Sequence, residues 1–143
     1  MNSIGVLAGL TTILSIWFGH VMVRNLEFKL PKIQPAVLLC ILLGMMFLLG
    51  ALLLENNTLS AISAIIGITF QWDALEFKRQ QKRVIIGHAP ANPKNSRHLR
   101  ILAEKSTATT LDLLDREPRG KAYSQVEIIA ILNEESKSEV NSE

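Results

Sequence analysis

Five ionisable residues fall at spacings that bring them together. His20, Arg24 and Glu27 follow one another at four- and three-residue steps, and Asp73 and Glu76 are three apart. Such steps place side chains on one face of a helix. His20 lies about 24 Å along a helix begun at Ile4, and Asp73 about 21 Å along one begun at Leu59. If those helices run in the same direction, all five groups reach a similar depth. An imidazole, three carboxylates and a guanidinium gathered in an apolar surrounding could relay a proton or hold an ion. The plainer alternative, which the pattern favours, is that they pair to pin the helix ends, with Arg24 reaching outward along its stem.

No other residues assemble a reaction centre. There is no H-E-x-x-H, C-x-x-C, phosphate-binding glycine loop or G-x-S-x-G. Cys40 is the one cysteine, and no neighbour in sequence activates its thiol, so it reads as a packing residue. His88 and His98 are ten apart without a metal-ligand pattern, and Met45-Met46 reads as packing. The expectation is a protein that is not an enzyme, with no cofactor and no metal.

The elements that would position these groups follow from an uneven composition. The chain has 143 residues, of which 48% are hydrophobic and 20% charged. Residues 1–77 carry only Arg24, Glu27, Lys29, Lys32, Glu55, Asp73 and Glu76 as charges, and residues 78–143 carry the remaining twelve Lys/Arg and nine Asp/Glu. That asymmetry points to a membrane part and a water-facing part. It excludes a soluble single-core enzyme, a disulfide scaffold and a wholly disordered chain. Three apolar runs, about 4–23, 35–54 and 59–77, are near the roughly 20 residues a helix needs to cross about 30 Å of hydrocarbon. The third helix should continue to about residue 85. Asp73 and Glu76 weaken the third span, but they sit near its end, where a charge costs less, and Trp72 suits an interface. Met1–Ser3 has no basic residue, so the first span reads as retained rather than as a cleaved signal.

With three spans, Arg24, Lys29 and Lys32 in a first connection over 24–34 fall on the same side as everything after residue 77. The connection 55–58 holds no Lys or Arg. The positive-inside rule then places the N-terminus outside, the C-terminus in the cytoplasm and a tight external turn at Asn56-Asn57. Small residues commonly mark helix contacts in lipid. Gly5 and Gly9 on the first span, with Ser60/Ala64 and Ser63/Gly67 on the third, have the four-residue spacing for spans one and three to meet there. Ordinary small residues facing lipid or span two are the alternative.

Lys78, Arg79, Lys82 and Arg83 repeat at helical spacing beyond the third span and are candidate contacts for lipid head groups. Simple positive-inside retention explains them as well. Residues 78–105 hold eight basic side chains against Glu104. With no RNA motif and no interleaved aromatics, nucleic-acid binding is not expected. Gly87 reads as a helix stop, and 87–98 as a loop rich in Pro and Asn. The stretch 99–143 reads as a cytoplasmic helical tail. Two short helices are expected within 97–115, then a turn at Pro118-Arg119-Gly120. Ser124-Gln125-Val126-Glu127 follows as a capping box that opens a further helix, fraying from Ser136. The acidic helices could fold back on the basic stretch or bind a partner. The fold class is therefore an all-α membrane protein, with three transmembrane helices in residues 1–86 and a short helical cytoplasmic tail.

Residues 1–95 or so carry a pattern: Gly9-Leu10, Phe18-Gly19-His20, Val23-Arg24, Glu27, Pro35, Gly67, Trp72, Glu76, Lys82-Arg83-Val84, Gly87, Pro90 and Asn92-Pro93-Lys94. It resembles the bacterial three-span family catalogued as domain of unknown function 4491. Val21 and Gln34 depart from that pattern, and the last fifty residues or so lie outside it. The resemblance implies an integral, bacterial inner-membrane protein with no assigned activity. It marks His20, Glu27, Trp72 and Glu76 for testing. The leading functional expectation is a non-enzymatic accessory or scaffold subunit that docks a partner through its tail. The alternative is an oligomeric ion or proton pathway at His20/Asp73, and a lipid-responsive sensor is a weaker third. Membrane lipid, a protein partner or a homo-oligomer are the expected associations.

Overall fold

The computed structural model describes residues 3–113 and 122–140. Five helices order them: α1 Ser3–Lys29, α2 Gln34–Leu53, α3 Asn57–Ile85, α4 Ser96–Glu104 and α5 Gln125–Val140. Among the described residues there is no strand. Helices α1, α2 and α3 are long and apolar enough to cross a membrane. They leave large side chains bare, with Leu52 82%, Leu53 83%, Ile13 67% and Val6 65% exposed. Such surface has no place in water and suits acyl chains. The chain is an all-helical, three-span membrane protein. By its contacts it divides into two compact units, Met1–Glu27 with Ile33–Arg79, and Phe28–Lys32 with Gln80–Glu143.

Helix ends follow local chemistry. α1 runs six residues past the expected end of the span, so Arg24 and Lys29 are helical rather than part of a connection. It stops where Pro31 bars Leu30 from helical geometry. Pro35 sits in the first turn of α2, where its missing N–H costs nothing. Asn56 opens α3: its Oδ1 accepts from the N–H groups of Thr58 (3.0 Å) and Leu59 (3.1 Å).

Within the first unit, α2 and α3 form an antiparallel hairpin whose rungs are polar and small. Ser60 Oγ donates to the Ala51 carbonyl (2.7 Å), Ser63 Oγ to Phe47 (2.7 Å) and Gln71 Nε2 to Ile41 (3.0 Å). Between them Gly44 and Gly67 meet backbone to backbone: a Cβ on Gly67 would lie 3.0 Å from the Gly44 carbonyl oxygen. Phe47 and Phe70 stack beside this seam, with centroids 6.0 Å apart. The face carrying Ser60, Ser63 and Gly67 therefore packs on α2, not on α1 as the spacing of Gly5 and Gly9 had suggested. Gly5 and Gly9 have nothing within 4 Å of a Cβ position. The spacing marked a face able to pack; Gly44 opposite decided which partner could approach it. α1 meets α3 instead at Gly19, against Asp73.

The second unit has its own small core of Val84, Ala89, Ala91, Leu99, Leu102 and Ile128. α3 ends in a two-bond cap: His88 N–H donates to the Arg83 carbonyl (2.8 Å) and Gly87 N–H to Val84 (3.2 Å). Gly87 has φ +77, and a Cβ there would also strike the Thr107 carbonyl. α4 begins at Ser96, three residues before the expected start of the tail, because Asn95 caps it by accepting from Arg97 N–H (3.1 Å). Only this one helix forms between 97 and 113; residues 105–113, poor in helix formers, run as turns. The rest of the expected second helix and the Pro118-Arg119-Gly120 turn lie outside the described residues. Ser124 and Glu127 make the reciprocal box, with Ser124 N–H to Glu127 Oε2 at 2.8 Å and Glu127 N–H to Ser124 Oγ at 3.3 Å. α5 folds back on α4 through Ile128, which is fully buried, and extends to Val140, past the Ser136 at which fraying was expected. Lys137 in its last turn complements the negative end of the helix.

Candidate functional site

Asp73 is the centre of the candidate site. It projects from α3 and is 4% exposed. Its carboxylate lies flat on α1 at Gly19, where a Cβ would come within 2.6 Å of Oδ2 and 2.8 Å of Cγ. Any larger residue at 19 would displace the acid, so the glycine determines how close the two helices come. The charges that act on Asp73 are those of His20, on the next position of α1, and Glu76, one turn along α3. Among the described residues no donor hydrogen-bonds to this carboxylate.

Two grooves flank the α1–α3 crossing, and Asp73 lines both. One, of ≈ 240 Å³, is walled by Leu14, Phe18, Ile66 and Phe70. The other, of ≈ 710 Å³, holds His20 and Trp72 at Asp73, with Ile16, Ile65 and Ile68 further along. His20 itself is exposed.

The remaining members of the sequence cluster are distributed differently. Glu76 is 3% exposed and its Oε2 lies 3.7 Å from Arg79 Nη1. Glu27 is 1% exposed on α1, and Arg24 is on the open side of the same helix. Arg24, Glu27 and Glu76 each engage other groups of the protein. Neither Arg24 nor Glu27 is among the charges acting on Asp73. Of the five residues, His20 and Glu76 are thus the charges that act on Asp73. Among the described residues no group of three or more His, Cys, Asp or Glu could hold a metal ion. Cys40 is buried in α2.

The basic residues after the third span have mixed duties. The Arg79 guanidinium lies 4.5 Å over the Trp72 ring, a cation–π contact that ties both to α3. Arg83 donates to Gln80 Oε1 (2.9 Å). Lys78 and Lys82 are exposed.

A second polar constellation, in the second unit, was not visible as such in the sequence. Asn92 Nδ2 and Asn95 Nδ2 both donate to the Phe28 carbonyl (3.1 Å each), and Asn95 Nδ2 also to Leu30 (3.0 Å). His98, fully buried, accepts the Asn92 N–H on Nδ1 (2.9 Å) and stands edge-on to Phe28. An imidazole that accepts on Nδ1 is in the neutral tautomer with its proton on Nε2. This is a clamp on the α1–α2 connection, not a ligand set. Its sequence signals were the Asn-x-x-Asn spacing around Pro93 and the place of Asn92-Pro93-Lys94 in the family pattern.

A family model, described as a domain of unknown function (DUF4491), matches residues 2–95. That range takes in α1, α2, α3 and the Asn92–Asn95 clamp, and stops short of α4 and α5. No curated protein and no solved structure matches the chain.

Proposed function

We propose, from the premise that the chain belongs to the family described as a domain of unknown function (DUF4491), that it is a non-enzymatic accessory or scaffold subunit of a bacterial inner membrane. Its N-terminus lies outside and its C-terminus in the cytoplasm, since its Lys and Arg side chains all fall on one side of the three spans. The observation that carries the reading is the two-sided character of α5. Ile128 is buried in the core of the second unit, while Val126 is 76% and Ile129 47% exposed, near Tyr123 at 38%. The first turn of α5 thus offers an apolar strip to a partner. Removing residues 106–143 wholesale would also remove Ile128 from the core, so surface substitutions are the cleaner test. Val126→Asp with Ile129→Asp is expected to cut partner capture, read by cross-linking in native membranes and mass spectrometry, at least tenfold. Undiminished capture with a folded protein would sink the docking reading.

A second reading, an oligomeric ion or proton pathway, is supported by Asp73, a buried acid within a span and beside an exposed imidazole. Intramembrane carboxylates of this kind commonly serve transport. His20→Ala and Asp73→Asn are each expected to lower a proteoliposome proton flux several-fold while assembly is kept. Absence of flux in the parent protein removes this reading.

A further inference from the structure

We infer that the larger α1–α3 groove binds an amphipathic organic monocation, with Asp73 as its counter-charge. The inference shares Asp73 with the ion-pathway reading, but it concerns equilibrium binding and requires no transport. Asp73 is more than nine-tenths buried, lines the groove, and among the described residues receives no hydrogen bond. A carboxylate in an apolar surrounding gains by taking up a positive charge. The groove supplies one such acid, with the His20 imidazole beside it and Thr12, Thr69 and Gln71 as further polar lining, and apolar walls of Ile16, Ile65, Ile68, Trp72 and Leu75. Divalent metal ions prefer several oxygen ligands, or nitrogen and sulfur sets, and among the described residues no such group exists. A cation that carries its own apolar substituents matches both the single charge and the walls. The groove's ≈ 710 Å³ falls in the range of about 300–1,000 Å³ usual for small-molecule sites. Ile68 is 62% and Leu75 53% exposed, so the groove opens toward the acyl chains from which such a compound would enter. Trp72 gives the site an aromatic wall, although Arg79 already lies over its ring.

The test uses the full-length protein in nanodiscs of zwitterionic lipid and tetraphenylphosphonium as probe, with binding followed by equilibrium dialysis against empty nanodiscs. Saturable binding near one per chain is expected. Asp73→Asn should weaken it at least tenfold. Ile68→Trp should weaken it by a similar factor by filling the groove while the carboxylate remains, and it decides the matter if Asp73→Asn fails to fold. Uptake that only tracks lipid, or binding unchanged in Ile68→Trp, overturns the site. Saturable, Asp73-dependent binding without flux upholds it and removes the ion-pathway reading alone.

Discussion

Gly67→Leu is expected to lower the thermal stability of the protein by on the order of 3–5 kcal/mol, enough to lose the folded peak in heated gel filtration well below the parent's transition. The reason lies in what surrounds Gly67. A Cβ there would come within 2.9 Å of Leu48 Cγ and 3.0 Å of both the Gly44 oxygen and the Leu48 nitrogen. Two of these are backbone atoms and cannot rotate away. The helices would have to separate, and separation would stretch the bonds from Ser60, Ser63 and Gln71 to carbonyls of α2. Overpacking alone costs about 1–3 kcal/mol, and an interhelical hydrogen bond in a membrane about 0.6 kcal/mol on average and up to about 1.7. Gly5→Leu and Gly9→Leu supply the comparison, because a Cβ at either meets nothing within 4 Å. They should leave the transition within a degree or two. A loss at Gly9 equal to that at Gly67 would show that the Gly44–Gly67 seam has no special part in the packing.

Asn95→Ala is the second large expectation, on the order of 3–5 kcal/mol within the second unit. One side chain, 3% exposed, there does three things. Its Nδ2 serves the Phe28 and Leu30 carbonyls, and its Oδ1 caps α4 through Arg97 N–H. A net hydrogen bond is worth about 1 kcal/mol, a buried group left without one costs about 1–3, and a lost helix cap costs about 1. Hydrogen exchange should rise together in residues 28–32 and 96–104. Asn95→Asp separates the roles: it keeps the capping oxygen and loses the donor, so exchange should rise over 28–32 while α4 stays protected. Faster exchange in α4 with no change over 28–32 would mean that the clamp contributes nothing.

Much of this was legible because it is local. Runs of about twenty apolar residues gave α1, α2 and α3, the Ser124/Glu127 box gave the start of α5, and Gly87 gave the end of α3. The match in depth between His20 and Asp73 was likewise legible, since helical rise is fixed and both spans run the same way. What could not be read depends on a partner far along the chain. The spacing of Ser63 and Gly67 announces a packing face but not that Gly44 stands opposite it. Gly19 looks unremarkable until Asp73 is laid against it. Periodicity put Arg24 and Glu27 with His20, yet Glu27 is buried on the Gly19–Val23 face while His20 and Arg24 are exposed, and of the three only His20 is a charge acting on Asp73. In the tail, a Thr-rich stretch said that helix would be poor but not which turns would replace it.

The Asn92–Asn95 clamp has a consequence for how this chain can drift in evolution. Both amides grip main-chain carbonyls, at Phe28 and Leu30, and neither reads a side chain there. The clamp therefore places no demand on the side chains at Leu30 and Lys32, while it does fix the length of the connection. One inserted residue would rotate the carbonyls out of register and undo the clamp, whereas a changed side chain at the exposed Lys32 would leave it intact. Relatives of this chain should accordingly vary in spelling across the α1–α2 connection, and hold constant the number of residues in it.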